Sequence, residues 1–232
     1  MDCKKPAIDQ AEGGSLRQAK YRPLIRRAVA LSWLTIFYNV IEGVVSMAFG
    51  YAENSVALFG FGADSFIEVA SAFLVLWRFR GEAGEGGLLS LDRERKATLG
   101  IGVLFLMLAV GAFAGGATQI WQHSHPITTI PGLIVSALSL SFMFFLWKAK
   151  RKVGLTLGSS TVLKDAACSL ACIQLSVVLF IGSFLFLVAP SLWWADSAAA
   201  IVLSGFIAKE GWETVAMARS EDFAGGACGC ND

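Results

Sequence analysis

The chain has 232 residues, 55% of them hydrophobic and 16% charged, with a net charge of +1. A soluble domain of this length carries about a quarter charged residues, so too few are present here to cover a water-facing surface. The near-zero net charge also excludes the basic footprint of a nucleic-acid-binding protein.

The charges sit in bands. One runs from residue 4 to 27 and includes Lys20, Arg22 and Arg26; a second holds Arg78, Arg80, Asp92, Arg93, Glu94, Arg95 and Lys96; a third holds Lys148, Lys150, Arg151 and Lys152. A helix needs about 20 apolar residues to cross ~30 Å of hydrocarbon. The stretches 24–50, 55–79, 97–121, 131–147, 159–188 and 191–212 qualify. They are too long and too evenly apolar for barrel strands. The expected fold class is therefore all-α, a polytopic membrane protein of six transmembrane helices. Residues 1–23 form a basic segment, 24–212 the membrane domain and 213–232 a short tail.

The Lys and Arg residues fall in the head and in the loops after the second and fourth spans, whereas 51–54 and 122–130 contain none. Short loops rich in Lys and Arg stay inside, so both termini are expected to be cytoplasmic. The expected location is the cell (inner) membrane, with the lipid bilayer as surroundings. The first apolar run is too long for a signal-peptide core and contains Glu42, so no signal peptide is expected. Cys3, Cys168, Cys172, Cys228 and Cys230 all fall on the cytoplasmic side or within spans, which argues against a disulfide framework.

Ionisable groups inside membrane helices are costly and point to function. In the first span, Asn39 and Glu42 lie one turn apart. Glu42 lines a pathway or makes an inter-helix hydrogen bond. The second span holds the strongest pair, Asp64 and Glu68 in Gly62-Ala-Asp64-Ser-Phe-Ile-Glu68. Four residues apart, both carboxylates point to one face. They cannot both stay ionised in low dielectric without a cation, so a divalent metal or a shared proton is required, unless neighbouring helices hydrogen-bond them.

In the third span, Gly111-Ala-Phe-Ala-Gly115 permits close helix packing. His123 and His125 in the following loop can attract metal or be merely solvated. The fifth span repeats the four-residue spacing with Cys168 and Cys172, preceded by Asp165. Two helices with two donors each suffice for a tetrahedral site, although a membrane cysteine is more often a small apolar residue. Asp165 stands either as an outer acceptor on the route to such a site or, with Lys164, as a cap at the helix start. Asp196 reads as the N-cap of the sixth helix. Cys228 and Cys230 form an accessory soft-metal pair or an inert tail.

The stretch Asn54-Ser-Val-Ala-Leu-Phe-Gly-Phe-Gly-Ala-Asp64-Ser-Phe-Ile-Glu68-Val-Ala-Ser71 resembles the second helix of the cation diffusion facilitators. Trp194-Ala-Asp196-Ser-Ala-Ala and Lys209-Glu-Gly-Trp-Glu-Thr214 resemble the family's sixth helix and its end. The resemblance implies export of a divalent metal, typically zinc, in exchange for protons, by a homodimer. It assigns Asp64 and Glu68 to the helix-two ligand positions, and Cys168 and Cys172 to those of helix five. The family usually has His or Asp followed by Asp in helix five. The thiols here shift the expected cargo towards soft or borderline ions, Zn2+ first and Cd2+ beside it. Only residues 213–232 follow the sixth span, so a short form without the family's C-terminal cytoplasmic domain is expected. No cofactor is expected beyond the transported ion.

Other classes compete. A membrane dithiol redox protein would use Cys168 and Cys172, but residues four apart on a helix make a poor disulfide. A metal sensor would bind the ion without moving it. An enzyme is not expected, since neither His-Glu-x-x-His nor Gly-x-Ser-x-Gly occurs.

Overall fold

The computed structural model describes residues 12–52, 56–80, 91–122, 130–188, 194–220 and 223. Among these stand six helices: α1 (Glu12–Ala52), α2 (Val56–Phe79), α3 (Leu91–Trp121), α4 (Ile130–Leu157), α5 (Ser160–Val188) and α6 (Ala195–Arg219). Even α2, at 24 residues, reaches about 36 Å and exceeds the hydrocarbon thickness. Tyr21–Phe49, Gly60–Phe79 and Leu91–Trp121 are each long and apolar enough to span by length and composition alone.

The distribution of side chains is that of a membrane protein turned towards lipid. Phe37, Ile41, Val44, Phe73, Met107, Val110 and Phe206 are exposed, while Thr35, Asn39, Glu68, Ser71, Thr98 and Ser169 are fully buried. The chain is an integral, multi-pass membrane protein.

Helices pack as three antiparallel pairs, α1 with α2, α3 with α6 and α4 with α5, and α2 meets α5 between them. The α1–α2 pair crosses closely at two glycines. A Cβ on Gly43 would lie 3.1 Å from the Gly62 carbonyl oxygen, and one on Gly62 only 2.8 Å from that of Gly43. This approach brings Glu42 beside Ser65. The α4–α5 turn is short because Gly158 takes φ of 64°, a left-handed conformation that costs glycine little. Ser159 N–H then reaches back to the Gly154 carbonyl at 3.2 Å, closing a Schellman-type end.

Several expectations are corrected. The basic cluster Lys148, Lys150, Arg151 and Lys152 lies within α4 and not in a loop. Hydropathy marks only the hydrocarbon-embedded part of a helix, whereas Lys and Arg are good helix formers and continue it into the interface. For the same reason α1 begins at Glu12, well before position 24. Asp196 is not the N-cap of α6. Trp194 occupies that position, without a side-chain capping bond. Gly111 and Gly115 mediate no close approach among the described residues, none of which would place an atom within 4 Å of a Cβ at either. The α3–α6 contact runs through Gly102, Gly116 and Gly211 instead, where a Cβ would meet α6 or α3 atoms at 2.8–2.9 Å.

Candidate metal centre

The site lies where α2 faces α5, with α1 and α4 closing its sides. On α2, Glu68 is fully buried, and one Asp64 carboxylate oxygen is sealed from solvent. On α5, Cys168 and Cys172 are buried free thiols. Asp64 approaches the Cys172 thiol, and Cys172 neighbours Cys168. Behind the thiols lies an apolar wall that includes Ile101, Phe105, Met143, Leu146 and Ile207. That wall keeps water from one side of the site and leaves the polar groups facing α1 and α2.

Six buried polar atoms there have no hydrogen-bond partner among the described residues: Asp64 Oδ1, Glu68 Oε1 and Oε2, Glu42 Oε1, Asn39 Oδ1 and Ser46 Oγ. Each unsatisfied buried group costs about 1–3 kcal/mol, and more when charged. Five of them are carboxylate or amide oxygens, which accept cations or protons.

Asp165 is differently placed. Its carboxylate pairs with Lys150 Nζ at 3.1 Å and accepts the Ser71 hydroxyl at 2.6 Å. Lys150 also donates to Ser169 Oγ at 3.1 Å. This junction ties α2, α4 and α5 together about one turn nearer the start of α5 than Cys168. Asp165 therefore makes a tertiary ion pair and does not cap α5. The N-terminus of α5 is served by Glu94, whose Oε1 accepts from Thr161 N–H at 2.8 Å and Ser159 Oγ at 2.7 Å while Oε2 accepts from Arg78. Arg95 closes α6 in turn, donating to the carbonyls of Ala218 at 2.6 Å and Arg219 at 2.8 Å. Lys164 reaches Glu210 of α6 at 2.6 Å.

Asn39 and Glu42 both enter the site region from α1. Asn39 Nδ2 donates to the Thr35 carbonyl at 3.0 Å, and Glu42 Oε2 accepts from Ser65 at 3.4 Å. The four expected ligands thus face one another across α2 and α5. Their side chains are not drawn together, since among the described residues no three Asp, Glu, Cys or His groups stand close enough to hold a metal ion. Glu68 leans towards Ser169, Lys150, Asp165 and Asn39. His123, His125, Cys3, Cys228 and Cys230 lie outside the described residues.

Sequence reasoning missed Lys150 as a buried group, because a cation in a basic run reads as solvated. It also missed the serines and threonines that line the site. A signal existed in α1, where Ser32, Thr35, Asn39, Glu42 and Ser46 recur every three or four residues and are all buried.

These features define a multi-pass helical membrane protein with acids and thiols enclosed between its helices. The chain belongs to the cation efflux transmembrane domain family, which matches residues 93–221, more than half of its length. The match includes Asp165, Cys168 and Cys172, while Asp64 and Glu68 precede it. The chain is also similar to Transmembrane protein 163 of Xenopus laevis, 25% identical over 188 residues. That alignment covers 80% of this chain and 65% of the relative, just under two thirds of its length.

Proposed function

We propose that the chain exports a divalent transition or heavy metal ion from the cytoplasm, zinc first and cadmium next, in exchange for protons. Asp64, Glu68, Cys168 and Cys172 are the ligands in this reading. The observation that carries it is the set of buried, unpartnered carboxylate oxygens of Asp64 and Glu68 opposite two free thiols. Membership of the cation efflux family supports the same reading.

Two carboxylates and two thiolates would bring four negative charges against two on the ion. An empty, fully ionised site is untenable in low dielectric, so the ion's arrival releases protons and its departure takes them back. Proton exchange follows from that charge balance. Thiolates favour zinc and cadmium over magnesium and calcium, which require six or more oxygen ligands. Side-chain rotations at Asp64 and Glu68 would draw the ligands together around the ion. On this reading the protein works as a homodimer with both termini in the cytoplasm.

The test is metal uptake into proteoliposomes under an imposed pH gradient, zinc against cadmium, for wild type and Asp64→Asn. Flux that follows the gradient and is lost in Asp64→Asn is expected. Metal binding without flux would favour a sensor, and redox-sensitive activity that survives Asp64→Asn would favour a dithiol protein.

A further inference from the structure

The orphaned oxygens are not confined to the α2–α5 face. Asn39, Glu42 and Ser46 fall at positions i, i+3 and i+7 of α1, on one side of that helix. Asn39 and Ser46 are fully buried and Glu42 is 5% exposed, yet each leaves an oxygen without a partner among the described residues. The Asn39 amide is oriented by its neighbour: Nδ2 donates to the Thr35 carbonyl, so Oδ1 is the free end. Ser65 of α2 faces Glu42 at 3.4 Å, and buried Ser139 of α4 lies beside the same carboxylate.

Helical geometry separates this group from the thiols. Successive residues turn by about 100° around a helix. Asp64 therefore looks to α5 and Ser65 round the corner to α1. Glu68, about 40° from Asp64 on the same reckoning, falls between the two directions. It neighbours Ser169 and Lys150 on one side and Asn39 on the other.

We propose that Glu42, with Asn39 Oδ1 and Ser65 Oγ, forms a second cation station made only of oxygen donors, next to the thiol site and sharing Glu68 as its border; Ser46, about 10 Å along α1 from Asn39, lies beyond it. Its ligand class is a hard or borderline divalent cation, since carboxylate, amide carbonyl and hydroxyl oxygens suit manganese, magnesium and calcium as well as zinc. The proposal rests on the transport reading only for the purpose of the station, which is to give a departing ion oxygen ligands after it leaves the thiols. The station itself is a statement about binding. The close Gly43–Gly62 crossing holds it together, because a wider separation would take Glu42 away from Ser65.

The test uses the full chain in detergent with Cys3, Cys228 and Cys230 replaced by Ser as the wild-type background, first loaded with one equivalent of Cd2+, whose thiolate absorption then reports Cys168 and Cys172. Mn2+ is then titrated, and the loss of the free aqua ion's paramagnetic resonance signal counts what binds. Wild type is expected to bind one Mn2+ beside the cadmium. In Glu42→Gln, which keeps the size and the hydrogen bonds of the side chain, Mn2+ affinity should fall ten-fold or more with the cadmium band unchanged. Glu42→Asp should recover part of the loss, which a merely structural role would not predict. Equal Mn2+ affinity in wild type and Glu42→Gln, no Mn2+ binding by wild type, or loss of the cadmium band in Glu42→Gln would each overturn the station. Absence of the cadmium band in wild type would instead count against the thiol site, and absence of flux against transport.

Discussion

The Lys150–Asp165 pair offers a test whose magnitude follows from its burial. The charges are 3.1 Å apart and both side chains are 2% exposed. At an effective dielectric of ~20 their attraction is about 5 kcal/mol, much of it offset by the cost of removing both groups from water. The intact pair therefore adds little net stability, whereas removing one partner leaves a buried charge uncompensated. Lys150→Met should leave the Asp165 carboxylate with the Ser71 hydroxyl as its remaining described partner, close to Glu68. The expected loss is about 3–5 kcal/mol. Asp165→Asn in the same background removes the stranded charge and keeps an acceptor for Ser71, so most of that loss should be regained. Unfolding of the purified protein in mixed micelles, followed by helical circular dichroism, gives the four corners of the cycle. A Lys150→Met protein as stable as wild type, or a double variant no better than the single, would refute the reasoning.

Other outcomes follow from the same contacts. Gly62→Ala places a Cβ 2.8 Å from one backbone atom of α1 and 2.9 Å from another, so the helices must separate, at a cost of about 1–3 kcal/mol in the same unfolding assay. Gly60→Ala, with nothing among the described residues within 4 Å, should not destabilise and serves as its control. Glu94→Ala removes one ion-pair partner of Arg78 and the acceptor of the Thr161 N–H together, and should destabilise by about 1–3 kcal/mol, whereas Glu94→Gln, which keeps an acceptor, should cost less. Replacing both Cys168 and Cys172 by Ser should lower the cadmium-to-zinc flux ratio by about ten-fold or more, because hydroxyls lack the thiolate's preference for soft ions. An unchanged ratio would remove the thiols from the ion's path.

The six helices and their order were legible because hydrophobic length is a direct consequence of the bilayer's thickness. Their ends were less so. The residues beyond the hydrocarbon, such as 148–157 of α4, are polar enough to read as loop, and only their backbone pairing shows the helix continuing. Asp64 could be paired with Glu68, and Cys168 with Cys172, because the i, i+4 spacing fixes which groups share a face within one helix. Spacing says nothing about which face meets which helix. The partnership of Asp165 with Lys150 and Ser71 joins three separate helices, and no local pattern encodes it. The same limit applies to Glu42, whose proximity to Ser65 depends on the bare backbone contact of Gly43 with Gly62.

The buried charges also fall into two kinds, and the division bears on the proposed exchange. Arg78 is matched by Glu94 and Lys150 by Asp165, so these four groups are neutral in pairs. Glu42, Asp64 and Glu68 have no ion-pair partner among the described residues, and each leaves at least one oxygen unsatisfied. Ion pairs that served only packing would leave no such remainder. Three carboxylates exceed what one divalent ion neutralises, even before a thiol gives up its proton. On the proposed reading the loaded protein must therefore still hold a proton or a second cation near Glu42, and the empty protein must hold more. The exchange itself follows from the cargo's charge: when a divalent ion leaves, the carboxylates it neutralised would stand ionised in low dielectric, and protons take its place.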